Sequence, residues 1–296
     1  MANSSSNTKY HFHARSNSLP SRPHPLIQQC NELLERLRAS HETSSSSSLL
    51  SHRLGGLQDL HECVEKLVQL PLTQEALLHD PQESSVDELL DGSLRVLDVC
   101  TVAKESLLHT KECMRELQSI MRRRRGEEVG ITTEAKKFLA SRKVVKKAIF
   151  KALVNLKAIA KKCNFSSNIK GQQTGALVSL LRDVEVVTLS IFESLLNFIA
   201  GSTEAKLGTS WSLVSKLIQT KRTGCTQVAD ESEFSQVDAA LQFCVLHMTS
   251  KSDNINNLQN HLEKLESRIQ DFEEGLEFLF RRLIKIRVAL LNILNH

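Results

Sequence analysis

Residues 255–293 decide the fold, and they read INNLQNHLEKLESRIQDFEEGLEFLFRRLIKIRVALLNI. Large apolar side chains recur along this segment at alternating intervals of three and four residues, twelve times without a miss. That spacing places all of them on one face of an α-helix. We call this set the C-terminal seam, and it comprises Ile255, Leu258, Leu262, Leu265, Ile269, Phe272, Leu276, Leu279, Leu283, Ile286, Leu290 and Ile293.

The C-terminal seam needs partner helices. Burying twelve large apolar side chains contributes about 20–35 kcal/mol, and ordering about forty backbone residues costs a comparable or larger sum. The same register extends back to Phe234, which predicts one helix over about 232–294 with a bend near 250–254. Past Leu276 the apolar stripe widens in the way that is typical of a helix enclosed in a bundle. The added residues are Phe280, Ile284, Leu291 and Leu294.

The rest of the chain carries similar stripes and few residues that end helices. Among 296 residues there are 11 Gly and 5 Pro, and aromatic residues make up only 4%. Many-stranded folds need more turn residues and more of the side chains that favour strands. We therefore predict an all-α fold, an elongated antiparallel helical bundle with a long coiled-coil-like C-terminal helix. Homodimerisation through the C-terminal seam is the alternative way to cover it.

The predicted organisation is a disordered arm followed by a single domain. Residues 1–22 are polar and Ser-rich without helical periodicity, which predicts a disordered N-terminal arm. Residues 23–296 are expected to form one all-helical bundle domain. Its linkers are predicted near 41–48, 126–132, 201–209 and 221–231.

Positive charge is concentrated in one region. Residues 122–182 carry a net charge of +13, whereas the whole chain carries +4. Such a region either is a solvated face that pairs with acidic helices of the bundle, or binds anionic lipid. Nucleic-acid binding is disfavoured, because Phe138, Phe150 and Phe165 are expected to pack inward and not to stack on bases. The candidate basic face comprises Lys136, Lys137, Arg142, Lys143, Lys146, Lys147, Lys151, Lys161 and Lys162.

The N-terminal arm contains a candidate phosphorylation site. Arg15, Ser18 and Pro20 have the spacing R-S-x-S-x-P. A phosphate on Ser18 would offer two negative charges to an arginine cluster, while Pro20 turns the chain away. This is the recognition mode of 14-3-3 proteins, which makes them candidate partners. Phosphorylation of Ser18 without such a reader is the alternative.

The sequence gives no sign of an enzyme, a cofactor or a metal site. It lacks the glycine-rich phosphate loops, the zinc-protease motif and the serine-hydrolase elbow. Its seven cysteines are scattered without a C-x-x-C pair, which predicts reduced thiols and a cytoplasmic protein. No apolar run approaches the length of a membrane span. Membrane association remains an option for the basic face, and nuclear or plastid targeting is less favoured.

Several segments resemble motifs of a plant-specific family of uncharacterised proteins related to BYPASS (domain of unknown function 241). They include residues 10–22 (YHFHARSNSLPSR), 86–94 (VDELLDGSL), 211–217 (WSLVSKL), 270–277 (QDFEEGLE) and 279–296. The resemblance covers nearly the whole chain. It implies a non-enzymatic interaction or adaptor protein acting in root and shoot development or signalling. No catalytic residue is implied for this sequence.

Overall fold

The computed structural model of the protein describes residues 24–40, 47–78, 84–123, 128–163, 173–201, 232–246 and 252–295. These residues form α-helices and, within those ranges, no strand. The predicted all-α class is therefore confirmed. The helices are α1 (Pro25–Ala39), α2 (Ser47–Val68), α3 (Pro71–Leu78), α4 (Ser84–Arg123), α5 (Glu128–Cys163), α6 (Gln173–Ala200), α7 (Glu233–Leu246) and α8 (Ser252–Leu294).

Two predicted linkers are partly helical. Helix α5 begins at Glu128, so residues 128–132 belong to it and not to the linker predicted over 126–132. Helix α2 begins at Ser47, inside the linker predicted over 41–48. Gly201 ends α6 with a φ of 71°, a left-handed conformation that favours glycine. The predicted arm over 1–22, the rest of the 201–209 linker and the 221–231 linker lie outside the described residues.

Four helices, α2, α4, α6 and α8, surround the main hydrophobic core. Helix α4 runs antiparallel to α8, because residue numbers fall along one helix as they rise along the other. Lys104 donates to Glu277 at 2.6 Å, and Gln118 donates to Glu266 at 3.1 Å. Helix α8 has 43 residues and is about 64 Å long, so the predicted elongated bundle with a long C-terminal helix is confirmed.

The bundle also contains parallel neighbours. Gln58 donates to the carbonyl of Gly275 at 3.1 Å, and Arg282 donates to Glu65 at 2.7 Å, so α2 and α8 run in the same direction. Comparing residue numbers across contacts in the same way shows that α4 is parallel to α6 and that α2 is antiparallel to α6. The contacts that show this are Arg95–Glu185, Glu88–Arg182, His61–Thr188 and Arg53–Ser194.

The remaining helices cover the outside of this four-helix core. Helix α1 packs on α2 and α6, and α5 packs on α4, α6 and α7. Helix α7 lies on α8 and α5, and the short α3 follows α2 and contacts α4, α6 and α8 as well. Eleven of the twelve C-terminal seam residues are buried by helices of the same chain, and Ile255 is partly buried. The seam is therefore covered without a second copy of the chain.

The single helix predicted over 232–294 is wrong. The structure has two helices there, α7 and α8, and Ser232 begins the first by accepting a hydrogen bond from the backbone N–H of Ser235 at 3.2 Å. Arg268 donates to Glu233 at 3.1 Å, which is possible only if α7 folds back along α8. The apolar register continued across the reversal because both helices turn their apolar faces to the same core. Periodicity alone does not report the direction of the chain.

The C-terminal end of α8 is less enclosed than its apolar residues predict. Ile284, Leu291 and Leu294 are exposed, with Ile284 42% exposed, whereas Phe280 packs against the core. The apolar stripe of α8 does widen past Leu276, as the sequence indicates. None of the described helices, however, covers the added residues Ile284, Leu291 and Leu294.

Candidate functional site

Helix α5 carries the predicted basic region, and its local sequence explains why it is helical. Residues 131–158 contain no Gly or Pro and are rich in Lys and Ala, which favour helices. One side of α5 packs against α4, α6 and α7. Its buried side chains include Phe138, Val145, Ile149 and Leu153. The opposite side faces away from the bundle.

That opposite side combines cations with apolar side chains. Four of its lysines are exposed, and none of the four pairs with an acid among the described residues. Phe150 is 54% exposed and Val154 is 48% exposed. These residues share a face because they are spaced three, four or seven apart. We call the set the α5 outer face, and it comprises Lys136, Lys143, Lys147, Phe150, Lys151 and Val154.

Not every residue of the predicted basic face lies there. Lys137 is exposed but pairs with Glu134 at 3.1 Å. Lys146 pairs with Asp238 of α7 at 2.7 Å. Lys161 and Lys162 belong to the last turn of α5, and their side chains lie outside what the structure describes. The region of high charge is therefore only in part a free cationic surface.

The assignment of Arg142 to the basic face is wrong. Its side chain is only 3% exposed, and its guanidinium donates to both carboxylate oxygens of Asp238, at 3.1 and 3.4 Å. It also donates to the carbonyl of Ile199 at 2.7 Å and lies 5.1 Å from the ring centre of Phe234. A guanidinium can be buried when a carboxylate neutralises it and most of its N–H groups are bonded. In Arg142 both Nε and Nη2 have partners, and Nη1 has none among the described residues. Arg142 thus joins α5, α6 and α7 and is not available to a ligand.

The expectation that Phe150 packs inward is also wrong, while Phe138 is buried as predicted. Phe165 lies outside the described residues. A signal for Phe150 was present in the sequence, because it stands seven residues after Lys143 and so faces the same side. An exposed phenylalanine among unpaired lysines is the candidate feature that sequence reasoning missed.

The other candidate sites are placed as follows. Arg15, Ser18 and Pro20 lie outside the described residues, so phosphorylation and 14-3-3 docking remain predictions. Among the residues that the structure describes, no group of three His, Cys, Asp or Glu side chains lies close enough to hold a metal ion. None of the described helices is long and apolar enough to span a bilayer.

The region from α2 to α8 matches a known family. The family model described as Protein BPS1 matches residues 53–293. The chain belongs to the BPS1 family. The resemblance to BYPASS-related proteins is therefore confirmed, and no curated protein and no solved structure matches the sequence. The BPS1 match includes the α5 outer face and the Arg142–Asp238 pair, and it leaves α1 outside.

A buried histidine lies in the BPS1-matched region between α2 and α6. His61 is 4% exposed, and its Nε2 lies 2.9 Å from the hydroxyl of Thr188. Thr188 donates its own proton to the carbonyl of Val184 at 2.6 Å, so the imidazole proton is assigned to Nε2. Burial and, to a smaller extent, the nearby charge of Arg282 together lower the pKa of His61 to about 4.

This histidine makes stability depend on pH. The unfolded chain takes up a proton near pH 6.5, whereas the folded BPS1-family protein resists protonation until about pH 4. The contribution of His61 to the free energy of unfolding is therefore fully present above pH 6.5. It is lost as the pH falls towards 4, by up to about 3 kcal/mol. Urea unfolding over this pH range measures the slope. We expect His61→Gln to remove that step and the exposed-site control His52→Gln to retain it; equal slopes in wild type and His61→Gln would contradict the assignment.

Proposed function

We propose that this BPS1-family chain is a non-enzymatic interaction protein that docks on anionic membrane surfaces through the α5 outer face. The observation that supports the proposal is the line of four unpaired, exposed lysines on the same face as the exposed Phe150 and Val154. The proposed setting is the root and shoot development that the resemblance implies. Docking would place the protein as an adaptor at a membrane, with its other helical surfaces open to protein partners.

The energetics favour a lipid surface over a point ligand. The α5 outer face spans residues 136–154, about 27 Å along one continuous helix. A flat anionic surface can meet all four lysines at once, and each contributes about 1 kcal/mol there. A single small anion reaches only one or two of them.

Phe150 adds a second kind of attraction. Its ring is more than half exposed, and burial of an aromatic side chain in the acyl boundary contributes about 1.5–3 kcal/mol. Lysine stems flank it at Lys147 and Lys151 and can extend their charges to the headgroups. Stable reversible docking generally needs two such signals, and the α5 outer face offers both.

Protein partners are the second candidate, and a separate surface favours them. Ile284, Val288 and Leu291 are exposed on α8 at intervals of four and three residues. That spacing is typical of a helix face that contacts another helix or a groove. An adaptor could use this α8 face for a protein while α5 lies on the membrane.

Vesicle co-sedimentation tests the docking. We expect full-length protein to bind vesicles of phosphatidylcholine and phosphatidylserine, and binding to weaken as salt rises because the charges are screened. Pure phosphatidylcholine vesicles should bind far less. The triple change Lys143→Gln, Lys147→Gln and Lys151→Gln should weaken binding on the order of 100-fold. Phe150→Ala should weaken it roughly 10-fold.

Control variants on other helices distinguish binding through the α5 outer face from binding through the overall positive charge of the protein. The control triple is Lys66→Gln, Lys264→Gln and Lys285→Gln, three exposed lysines on α2 and α8. The aromatic control is Phe278→Ala, because Phe278 is 43% exposed on α8. Equal losses for the α5 and control variants, or no binding to anionic vesicles at low salt, would overturn the proposal.

A further inference from the structure

Two cysteines meet in the core between α1 and α2. Cys30 is 0% exposed and Cys63 is 2% exposed, and their sulfur atoms lie 2.8 Å apart. Cys30 donates its thiol proton to Cys63, whose sulfur lies 3.4 Å from the carbonyl of Leu26. Among the described residues no other two thiols are in contact. A pairing of this kind is not visible from the sequence, where the two cysteines are 33 positions apart and share no motif.

The geometry points to a redox site, and we propose that Cys30 and Cys63 form a reversible disulfide that joins α1 to α2. A disulfide bond is about 2.05 Å long. The two sulfur atoms therefore have to move together by less than about 1 Å. Both thiols are free in the structure, which represents the reduced form. The inference goes beyond membrane docking, because neither cysteine belongs to α5.

The oxidant in this proposal is hydrogen peroxide. The Cys63 thiolate attacks one peroxide oxygen, the O–O bond breaks, and the released hydroxide takes up a proton to leave as water. Cys63 is then a sulfenic acid. The sulfur of Cys30 attacks the sulfur of Cys63, the S–S bond forms, the S–O bond breaks, and a second water leaves with the Cys30 proton. Two electrons pass from the two sulfurs to the peroxide.

The neighbouring groups favour Cys63, and not Cys30, as the sulfur that attacks the peroxide. The hydrogen bond from Cys30 and the nearby charge of Lys66 lower the pKa of Cys63, against the opposing effects of burial and of the Glu62 charge. The same hydrogen bond and burial raise the pKa of Cys30, which keeps its proton until the second step. The lowered pKa of Cys63 favours loss of its proton to give the thiolate that attacks the peroxide.

Helix α1 provides the route for the oxidant. It has 15 residues, lies on the outside of α2 and α6, and buries Cys30, Leu33, Leu34 and Leu37. A helix of this length is marginal without its packing, so its local opening costs less than global unfolding. Opening of α1 exposes both sulfur atoms together. The disulfide would then close the loop from residue 30 to residue 63 and hold α1 in place.

Peptide mapping of oxidised protein tests the site. Full-length reduced protein is treated with hydrogen peroxide, alkylated, and analysed by intact mass and by digestion without reductant. We expect the loss of the mass of two hydrogens, a peptide containing Cys30 joined to one containing Cys63, and reversal by dithiothreitol. The oxidised form should also melt at a higher temperature than the reduced form, because the cross-link restricts the unfolded chain.

Single substitutions complete the test. Cys30→Ser and Cys63→Ser should each abolish the joined peptide and the oxidant-dependent rise in melting temperature. Cys100→Ser is the matched control, because Cys100 is 0% exposed and lies on α4 away from the pair. Cross-links that map to other cysteines, or Cys30 and Cys63 that remain fully alkylatable after peroxide treatment, would overturn the proposal. Mapping of the wild type decides the question even if one variant folds poorly.

Discussion

Replacing Arg142 with alanine is expected to lower the free energy of unfolding by about 3–5 kcal/mol. The substitution leaves the carboxylate of Asp238 buried, at 5% exposure, without its bidentate partner. Lys146 still pairs with Asp238 at 2.7 Å, but its side chain is 42% exposed, so solvent screens its charge. The carbonyl of Ile199 also loses a donor. Urea unfolding followed by circular dichroism measures the change.

The neighbouring residue supplies the control for this prediction. Lys143 is exposed on the same helix, and Lys143→Ala is expected to change the free energy of unfolding by less than about 0.5 kcal/mol. The double variant Arg142→Met with Asp238→Leu should be less destabilised than Arg142→Ala, because no charge is left buried. An Arg142→Ala variant as stable as Lys143→Ala would show that the pair does not hold α5 to α7.

The spacing around Arg142 indicates its burial, whereas the charge of the surrounding sequence indicates exposure. Arg142 stands at intervals of four and three from Phe138 and Val145, so it shares their inward face. Its place in a run of lysines suggested an exposed cation instead. Spacing identifies which charge is turned inward, but only the structure identifies the carboxylate that makes its burial tolerable. Asp238 belongs to a helix 96 residues away in the chain.

The C-terminal seam was predictable because periodicity is a local property. Each seam residue is three or four positions from the next, and eleven of the twelve are buried. The reversal between α7 and α8 was not predictable in this way, since two antiparallel helices can present the same register to one core. The Glu233–Arg268 ion pair at 3.1 Å depends on that reversal. Contacts between distant positions depend on topology, which the period of a single segment does not contain.

The same distinction applies to the candidate sites. The net charge of residues 122–182 can be counted from the sequence. Which of these cations stay unpaired on α5 depends on acidic partners such as Asp238 of α7, which pairs with Arg142 and Lys146. The contact between Cys30 and Cys63 depended on the packing of α1 against α2. Composition and spacing therefore predict which surfaces a helix has, and packing determines which of them remain free.

Replacing Phe272 with alanine is expected to lower the free energy of unfolding by about 3–5 kcal/mol. Phe272 is 0% exposed in α8, and its ring meets Phe198 edge to face, with centres 5.8 Å apart. Phe198 makes the same kind of contact with Phe234 at 5.9 Å, so the three rings join α6, α7 and α8. Removing the Phe272 ring leaves a cavity where three helices meet, and the lost contact with Phe198 adds to the loss of stability.

A phenylalanine on the same helix makes this prediction specific. Phe278 lies six residues after Phe272 and is 43% exposed, and its ring contacts Arg282 at the surface. Phe278→Ala removes the same atoms without opening a cavity, so we expect a loss below about 1 kcal/mol. Thermal and urea unfolding of both variants measures the difference. Similar losses in the two variants would mean that the aromatic contacts between α6, α7 and α8 do not anchor the hairpin, and that α7 is held mainly by the Arg142–Asp238 and Arg268–Glu233 pairs.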